Sequence, residues 1–276
     1  MSYKTILVHM DNSERAVARL TIAIGLARRH NAHLVGLHAL TVFALPSYAV
    51  AEAGNSILDF QKRAARESAE RAEAVFRKAV EGAGLTSTEW RNSFDDVLDA
   101  VALHARYADL IVLGQSDPSD DGGIAPEFPG LITLAAGRPV LIIPYVGKFE
   151  SLGKRTLVAW NASRESTRAV TDAIPLLRLA DTVNVVVFNP SGSDHGQVPG
   201  ADIGLFLARH GVPVEVSHYR AEDIDEGNQL LSRAADLGSD LIVMGGYGHS
   251  RLQEMVMGGV TRTILESMTV PVVMSH

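Results

Sequence analysis

The sequence encodes the same pattern twice. Residues 4–13 read KTILVHMDNS, and residues 154–163 read KRTLVAWNAS at an offset of 150 positions. In both copies an amphipathic helix pattern and a second apolar strand pattern come next. Two later segments also recur, ADLIVLG at 108–114 as SDLIVMG at 239–245, and RPVLI at 138–142 as VPVVM at 270–274. The chain is therefore predicted to contain two domains of one fold.

Within each copy, short β-branched runs alternate with helical stretches, which predicts five parallel strands joined by right-handed helical crossovers. The predicted fold class is α/β, with two tandem doubly wound five-stranded parallel-sheet (Rossmann-like) domains related by a pseudo-two-fold. We place the domains at residues 1–146 and 147–276, because a polar, glycine-bearing connector begins there. The fifth strands, residues 140–143 and 272–274, are short and apolar, and we expect them to pair across the pseudo-two-fold.

Composition excludes several classes of function. The net charge of −7 argues against a general nucleic-acid surface or an anionic-membrane surface. The absence of cysteine excludes disulfides, thiol catalysis and cysteine-ligated zinc. The ten histidines form no zinc-hydrolase motif, so no metal site and no catalytic residue is predicted. No membrane-length apolar run and no cleavable signal are apparent, so the expected location is the cytoplasm.

A glycine-rich turn in the second copy carries the strongest functional signal. Gly245 and Gly248 follow the fourth strand, nine residues separate Gly248 from the pair Gly258-Gly259, and a helix is expected from Val260. Glycines let backbone amides approach a phosphate, and a helix N-terminus attracts anions. A Walker loop is excluded because no lysine follows the glycines, and a Rossmann fingerprint would follow the first strand. The alternative is a strand-to-helix turn that binds nothing.

Taken together, the two copies of strand, Asp/Asn-x-Ser turn and helix resemble the universal stress protein family in its tandem form. The glycine segment is similar to that family's ATP-binding pattern of two glycines, nine spacer residues and Gly-Ser or Gly-Thr, although Gly259 stands at the hydroxyl position. The resemblance implies an ATP site in the second copy. Its expected residues are Ala159, Asn161, Val187, Met244, Gly245, Gly248, His249, Gly258, Gly259, Val260 and Thr261.

Three of these positions have alternative explanations. Asn161 stands where the family's adenosine-contacting acidic residue is expected, but it could equally cap the following helix. Ala159 and Val187 are expected as walls of the adenine slot, and both would also suit a plain core. His249 could donate to a phosphate oxygen or cap the turn.

The first copy keeps the acidic residue as Asp11 but lacks the glycine motif. Its fourth strand is followed by QSDPSDD at residues 115–121, and such carboxylates would repel a triphosphate. We therefore expect the first copy to be nucleotide-incompetent and to act as a scaffold and pseudo-dimer partner.

The predicted function is a stress-responsive ATP-binding protein that is non-catalytic or a very slow ATPase. The predicted cofactor is ATP, with or without Mg, and nothing is bound covalently. The predicted partners are an adenine nucleotide, the other half of the chain, and a second chain in a homodimer; no nucleic acid and no membrane is expected. The alternatives are an interaction or scaffold protein without nucleotide, and a weak ATP-hydrolysing or phosphotransfer enzyme.

Overall fold

The computed structural model describes residues 2–40, 55–120, 124–149, 152–188, 200–219, 225–248 and 259–276. We call residues 1–146 the first half and residues 147–276 the second half. The elements of the first half are β1 Thr5–His9, α1 Ala16–His30, β2 His33–Ala39, α2 Asn55–Gly82, β3 Thr88–Ser93, α3 Val97–Ala105, β4 Leu110–Gly114, α4 Phe128–Ala135 and β5 Val140–Ile143. Those of the second half are β6 Arg155–Ala159, α5 Arg164–Leu177, β7 Thr182–Phe188, α6 Ala201–Arg209, β8 Val214–Tyr219, α7 Glu226–Asp236, β9 Leu241–Gly245, α8 Val260–Ser267 and β10 Val272–Ser275.

All ten strands form one sheet, in the order β3-β2-β1-β4-β5-β10-β9-β6-β7-β8. Strands within each half are parallel, whereas β5 and β10 pair antiparallel where the halves meet. Leu141 lies opposite Val273, its own counterpart in the repeat, so the pseudo-two-fold passes through this pair. The predicted α/β fold and the predicted pairing of the fifth strands are confirmed.

Helices cover both faces of the sheet. One core packs α1, α2, α5 and α6 against it, through residues such as Leu20, Phe76 and Leu207. The other core packs α3, α4, α7 and α8 on the opposite face, through residues such as Val101 and Ile264. The strands between the layers are almost fully buried because both of their faces are covered. Within the described ranges, no helix is both long and apolar enough to cross a bilayer.

The topology opens a crevice at the carboxyl ends of β6 and β9. These strands are neighbours, but the chain leaves β6 for α5 on one face and leaves β9 for α8 on the other. Because the two connections diverge, the space between them stays uncovered. Ligands of open α/β sheets bind at such switch points.

Candidate functional site

A cavity of about 430 Å³ occupies this crevice in the second half. Its volume falls within the range of small-molecule sites, about 300–1,000 Å³. The residues that line it come from the ends of β6, β7 and β9, from α7, and from the N-terminus of α8. They are Ala159, Trp160, Asn161, Val186, Phe188, Glu226, Leu230, Met244, Gly245, Gly248, Gly259, Val260 and Thr261.

The inner wall of the cavity is apolar. Ala159 and Val186 are register partners on β6 and β7, and Met244 comes from β9. Side chains of a strand alternate between faces, so Val186 and Phe188 share the cavity face while Val187 belongs to the other face. The methyl Cγ2 of Val187 lies 3.3 Å from where a Cβ on Gly200 would stand, at the start of α6. The structure therefore places Val186, not Val187, at the predicted wall.

The mouth of the cavity is formed by backbone. Gly259 is the N-cap of α8, with φ −62° and ψ 168°, and provides no capping side chain. The first amides of a helix have no partner within the helix, and they carry the positive end of its dipole. Gly248 faces this helix start across the cavity, and the N–H of Tyr247 donates to Oγ1 of Thr261 at 3.1 Å. The turn and the helix are thus joined where an anion could approach both.

The two glycines that flank the turn have different roles. A Cβ on Gly245 would lie 2.6 Å from the backbone nitrogen of Ser166, so this glycine is required for β9 to pack against the first turn of α5. Among the described residues, a Cβ on Gly248 would meet Oε2 of Glu165 at 3.5 Å and Oγ of Ser163 at 3.8 Å, both ordinary contacts. Neither glycine has positive φ. Packing therefore explains Gly245, whereas the described neighbours of Gly248 impose no such requirement.

Asn161 follows β6 and lines the cavity. Its Oδ1 accepts the N–H of Ser163 at 3.1 Å, which forms an Asx-type turn. Ser163 is the N-cap of α5, because its Oγ accepts the N–H of Ser166 at 3.1 Å. The capping alternative for Asn161 is therefore wrong in detail: Asn161 shapes the turn before the helix, and the serine caps the helix.

The electrostatics of the cavity are acidic. Glu226 is among its lining residues, and the side chain of Glu165 is 9% exposed beside Gly248. Arg164 approaches Glu165 at 3.6 Å, but the arginine is 95% exposed, so water screens this pair. No lysine or arginine is found among the described lining residues. A polyphosphate here would depend on backbone amides and on cations from outside this set.

Most of the predicted site residues that the structure describes come together. Ala159, Asn161, Met244, Gly245, Gly248, Gly259, Val260 and Thr261 all line the cavity. His249 and Gly258 lie outside the described residues. The sequence analysis missed Trp160, Val186, Phe188, Glu226 and Leu230. The period of β7 could have identified Val186 and Phe188, whereas no local signal marks the two α7 residues.

The equivalent position in the first half is filled by side chains. His9 pairs with Leu37 as Ala159 pairs with Val186, so His9 stands where the second half has the small Ala159. The imidazole of His9 packs against the ring of Phe128 with centroids 5.4 Å apart, and Phe128 begins α4 as Val260 begins α8. His9 is 1% exposed, and burial lowers its pKa to about 4. Two aromatic rings thus occupy the place of the second half's cavity wall.

Asp11, the acidic residue of the first half, is neutralised by a buried arginine. Arg19 is buried and contacts Asp11 at 2.9 Å. Burial alone would raise the pKa of Asp11, but Arg19, His9 and the hydroxyl of Ser13 outweigh it and hold the pKa well below its usual range. A Cβ on Gly114 would collide with Nη1 of Arg19, so the guanidinium group fills the space at the end of β4. The carboxylate of Asp11 is therefore committed to an internal ion pair.

Comparison with known proteins agrees with the fold and the duplication. The model of the universal stress protein family matches residues 2–124 and 153–276. A universal stress protein of Mycolicibacterium smegmatis is 22% identical over 284 residues, which cover 97% of this chain and 95% of the relative. The universal stress protein Slr1230 of Synechocystis is 22% identical over 291 residues, 98% of both chains. The chain belongs to the universal stress protein family, in its tandem form.

A solved structure agrees with this architecture over the full chain. A universal stress protein from Archaeoglobus fulgidus DSM 4304 superposes with a TM-score of 0.70 at 15% identity, covering 98% of this chain and 95% of that one. At this identity the likeness establishes the fold alone. Across the described residues, no group of three or more histidine or acidic side chains is arranged to hold a metal ion.

Proposed function

We propose that the second half binds one adenine nucleotide, ATP in the first instance, and that the protein acts as a stress-responsive nucleotide-binding module. Catalysis is absent or limited to very slow ATP hydrolysis. The first half, residues 1–146, binds no nucleotide and supports the second, residues 147–276. We also propose a cytoplasmic location for the protein.

One observation carries this proposal: an apolar slot opens directly onto a helix N-terminus whose N-cap has no side chain. The slot beside Ala159 and Val186 suits a flat base, and the start of α8 at Gly259 suits phosphate. These two features coincide with the carboxyl ends of β6, β7 and β9. The ring pair of His9 and Phe128 supports a single site per chain.

An interaction protein with an empty cleft is the second candidate. The carboxylates of Glu165 and Glu226 favour it, since both oppose an uncompensated triphosphate. A divalent cation bound with the nucleotide would relieve that repulsion. The two candidates therefore differ in whether the purified protein takes up ATP with Mg.

The first test uses the full-length protein. Freshly purified protein is denatured, the released small molecules are identified by mass spectrometry, and ATP with and without Mg is titrated by calorimetry. We expect one site per chain and release of less than one phosphate per site over the titration. Two equivalent sites or no binding would overturn the proposal, and multiple turnover would identify an enzyme.

A substitution at Gly248 locates the site. Gly248→Val should leave the fold intact, because a Cβ there makes only ordinary contacts with the described residues around it and φ is not positive. The added side chain should block a phosphate at the mouth and weaken ATP binding at least about tenfold, or 1.4 kcal/mol. Gly25→Ala is the control, since its Cβ enters open space on α1. Unchanged ATP affinity in folded Gly248→Val would mean that the phosphates lie elsewhere.

A further inference from the structure

A second cavity, about 490 Å³, lies at the seam between the halves. The first half contributes the turn after β4 and one side of α4, and the second half contributes Tyr247, Arg262 and Leu265. Tyr247 is also part of the glycine-rich turn between Gly245 and Gly248. This residue therefore connects the candidate nucleotide site to the first half.

The conformation of Tyr247 is held by contacts outside its own turn. Its φ of 58° lies in the left-handed region, which a residue with a Cβ adopts only when its surroundings impose it. Its N–H donates to the buried Oγ1 of Thr261, on α8. Its ring crosses the seam to Gly130 of α4, where a Cβ would collide with Oη and stand 3.2 Å from Cζ. A side chain at position 130 would therefore force the Tyr247 ring to move.

The first half also holds the far end of α8. Gln115 follows β4 and is buried, and its Nε2 donates to the carbonyl oxygens of Leu265 at 2.8 Å and Glu266 at 3.3 Å. These carbonyls are in the last turn of α8, where helical partners are lacking. Its Oε1 accepts the N–H of Tyr145 at 3.2 Å. Both elements of the proposed phosphate site, the turn and the helix, thus rest on residues of the first half.

We propose that the first half positions the phosphate turn of the second half. Tyr247 is the positioning residue, and it acts through the contact of its ring with Gly130. In the described part of the chain, the second half does not support the first half through an equivalent contact. The repeat places Ser116 at the position equivalent to Tyr247, and Arg262 at the position equivalent to Gly130. The effect on affinity rests on the proposed nucleotide site. The effect on the turn itself does not.

Gly130→Ala is the first test, made in the full-length protein without ligand. The methyl group displaces the Tyr247 ring, so the amide at position 247 should exchange with solvent at least about tenfold faster, which corresponds to 1.4 kcal/mol. The amide of Val158 in β6 reports on global stability and should be unchanged. Alanine favours a helix more than glycine does, so helix propensity acts against this result. Gly25→Ala is the matched control, with a free Cβ position on a first-half helix.

A rescue separates positioning from general damage. Tyr247→Phe removes the Oη that collides with the methyl group introduced at position 130, and the remaining Cζ at 3.2 Å needs a shift of only a few tenths of an ångström. The double variant should regain most of the protection at position 247 and most of the ATP affinity, which Gly130→Ala should reduce about tenfold. Tyr247→Ala keeps Gly130 but removes the ring that contacts it. The amide at position 247 should then exchange with solvent faster, as expected for Gly130→Ala.

The outcomes are distinct. Unchanged exchange at position 247 in Gly130→Ala or in Tyr247→Ala would overturn the proposal, as would a double variant no better than the single one. If Gly130→Ala alone fails to fold and the double variant folds, the contact is supported. If the wild-type protein binds no ATP, the proposed function fails while the exchange comparison still decides the positioning.

Discussion

Gly259→Ser is expected to tighten ATP binding about tenfold. The family's pattern has a hydroxyl residue at this position, and the backbone conformation of Gly259 is one that serine adopts. Gly259 has φ −62° and ψ 168°, and Ser163, the N-cap of α5, has nearly the same conformation at φ −73° and ψ 166°. The substitution therefore introduces no backbone strain.

The geometry of Ser163 also indicates what the new hydroxyl would do. Oγ of Ser163 accepts the N–H of Ser166, three residues on. At the start of α8 the corresponding N–H, that of Arg262, already donates to the carbonyl oxygen of Gly259 at 2.9 Å, so a serine Oγ at 259 would at most share it. Its O–H would then remain as a donor at the mouth of the cavity. A hydrogen bond to a charged phosphate contributes about 1.5–3 kcal/mol, and ordering of the hydroxyl offsets part of that, which leaves roughly tenfold in affinity. As a cap, serine improves on glycine by only a few tenths of a kcal/mol.

The assay compares three proteins by calorimetry with ATP and Mg, with circular dichroism to establish folding. Gly259→Ala is the matched control, since it adds the same Cβ without the hydroxyl. Serine should bind ATP more tightly than both wild type and alanine. Serine and alanine of equal affinity would refute the hydroxyl argument and leave the backbone amides as the whole phosphate contact.

Three other substitutions test the site and its degenerate counterpart. Glu165→Gln should raise ATP affinity in the absence of Mg roughly five-fold, since two unit charges about 7 Å apart at an effective dielectric of about 40 interact by about 1 kcal/mol. Equal gains in the exposed-residue control Glu14→Gln would count against a local effect. Ala159→His, which imports the first half's side chain, should fill the slot and lower affinity at least about tenfold in a folded protein, and full affinity would show that the base binds elsewhere. His9 has a folded-state pKa of about 4 against 6.5 when exposed, so the unfolded chain takes up the proton first and stability falls as pH drops from about 6.5 to 4. Between pH 7 and pH 5 this costs about 2 kcal/mol; His9→Leu should remove that part of the loss in urea titrations, and parallel curves for the two proteins would contradict it.

The duplication and the fold were predictable from the sequence because both depend on local patterns. Strand and helix periodicities recur within each half, and an apolar fifth strand needs a partner. The third strands were not located. β3 and β8 form the edges of the sheet and carry alternating exposed polar residues, TEWRNS and VEVSHY, which give no apolar run. A strand covered on one face leaves a weaker signal than a buried one.

The difference between the predicted Val187 and the cavity-lining Val186 has a simple geometric origin. Strand residues alternate between faces, so a misplacement of one residue moves a side chain to the opposite side of the sheet. In the sheet, Leu37 lies beside His9 and Val186 lies beside Ala159, so Leu37 and Val186 are equivalent positions of the two halves. The apolar runs of the sequence alone did not reveal this equivalence. For the glycine motif, the sequence shows the positions of the glycines but not the role of each one. Its pattern was visible, but only the packing of β9 on α5 shows that Gly245 is structurally required, whereas the described neighbours of Gly248 leave room for a Cβ.

Linking the two copies in one chain permits differences that identical subunits could not have. In a symmetric dimer every residue appears in both sites, so a histidine that fills one slot fills both. Here Ala159 keeps a slot open while His9 closes its counterpart, and Gly130 receives Tyr247 while the reciprocal positions hold Arg262 and Ser116. At both pairs of equivalent positions the halves carry different residues, and the cavity beside Ala159 and the contact of Tyr247 with Gly130 depend on those differences. The first half, which lacks the glycine motif, thus has the His9–Phe128 contact at the position equivalent to the second half's cavity.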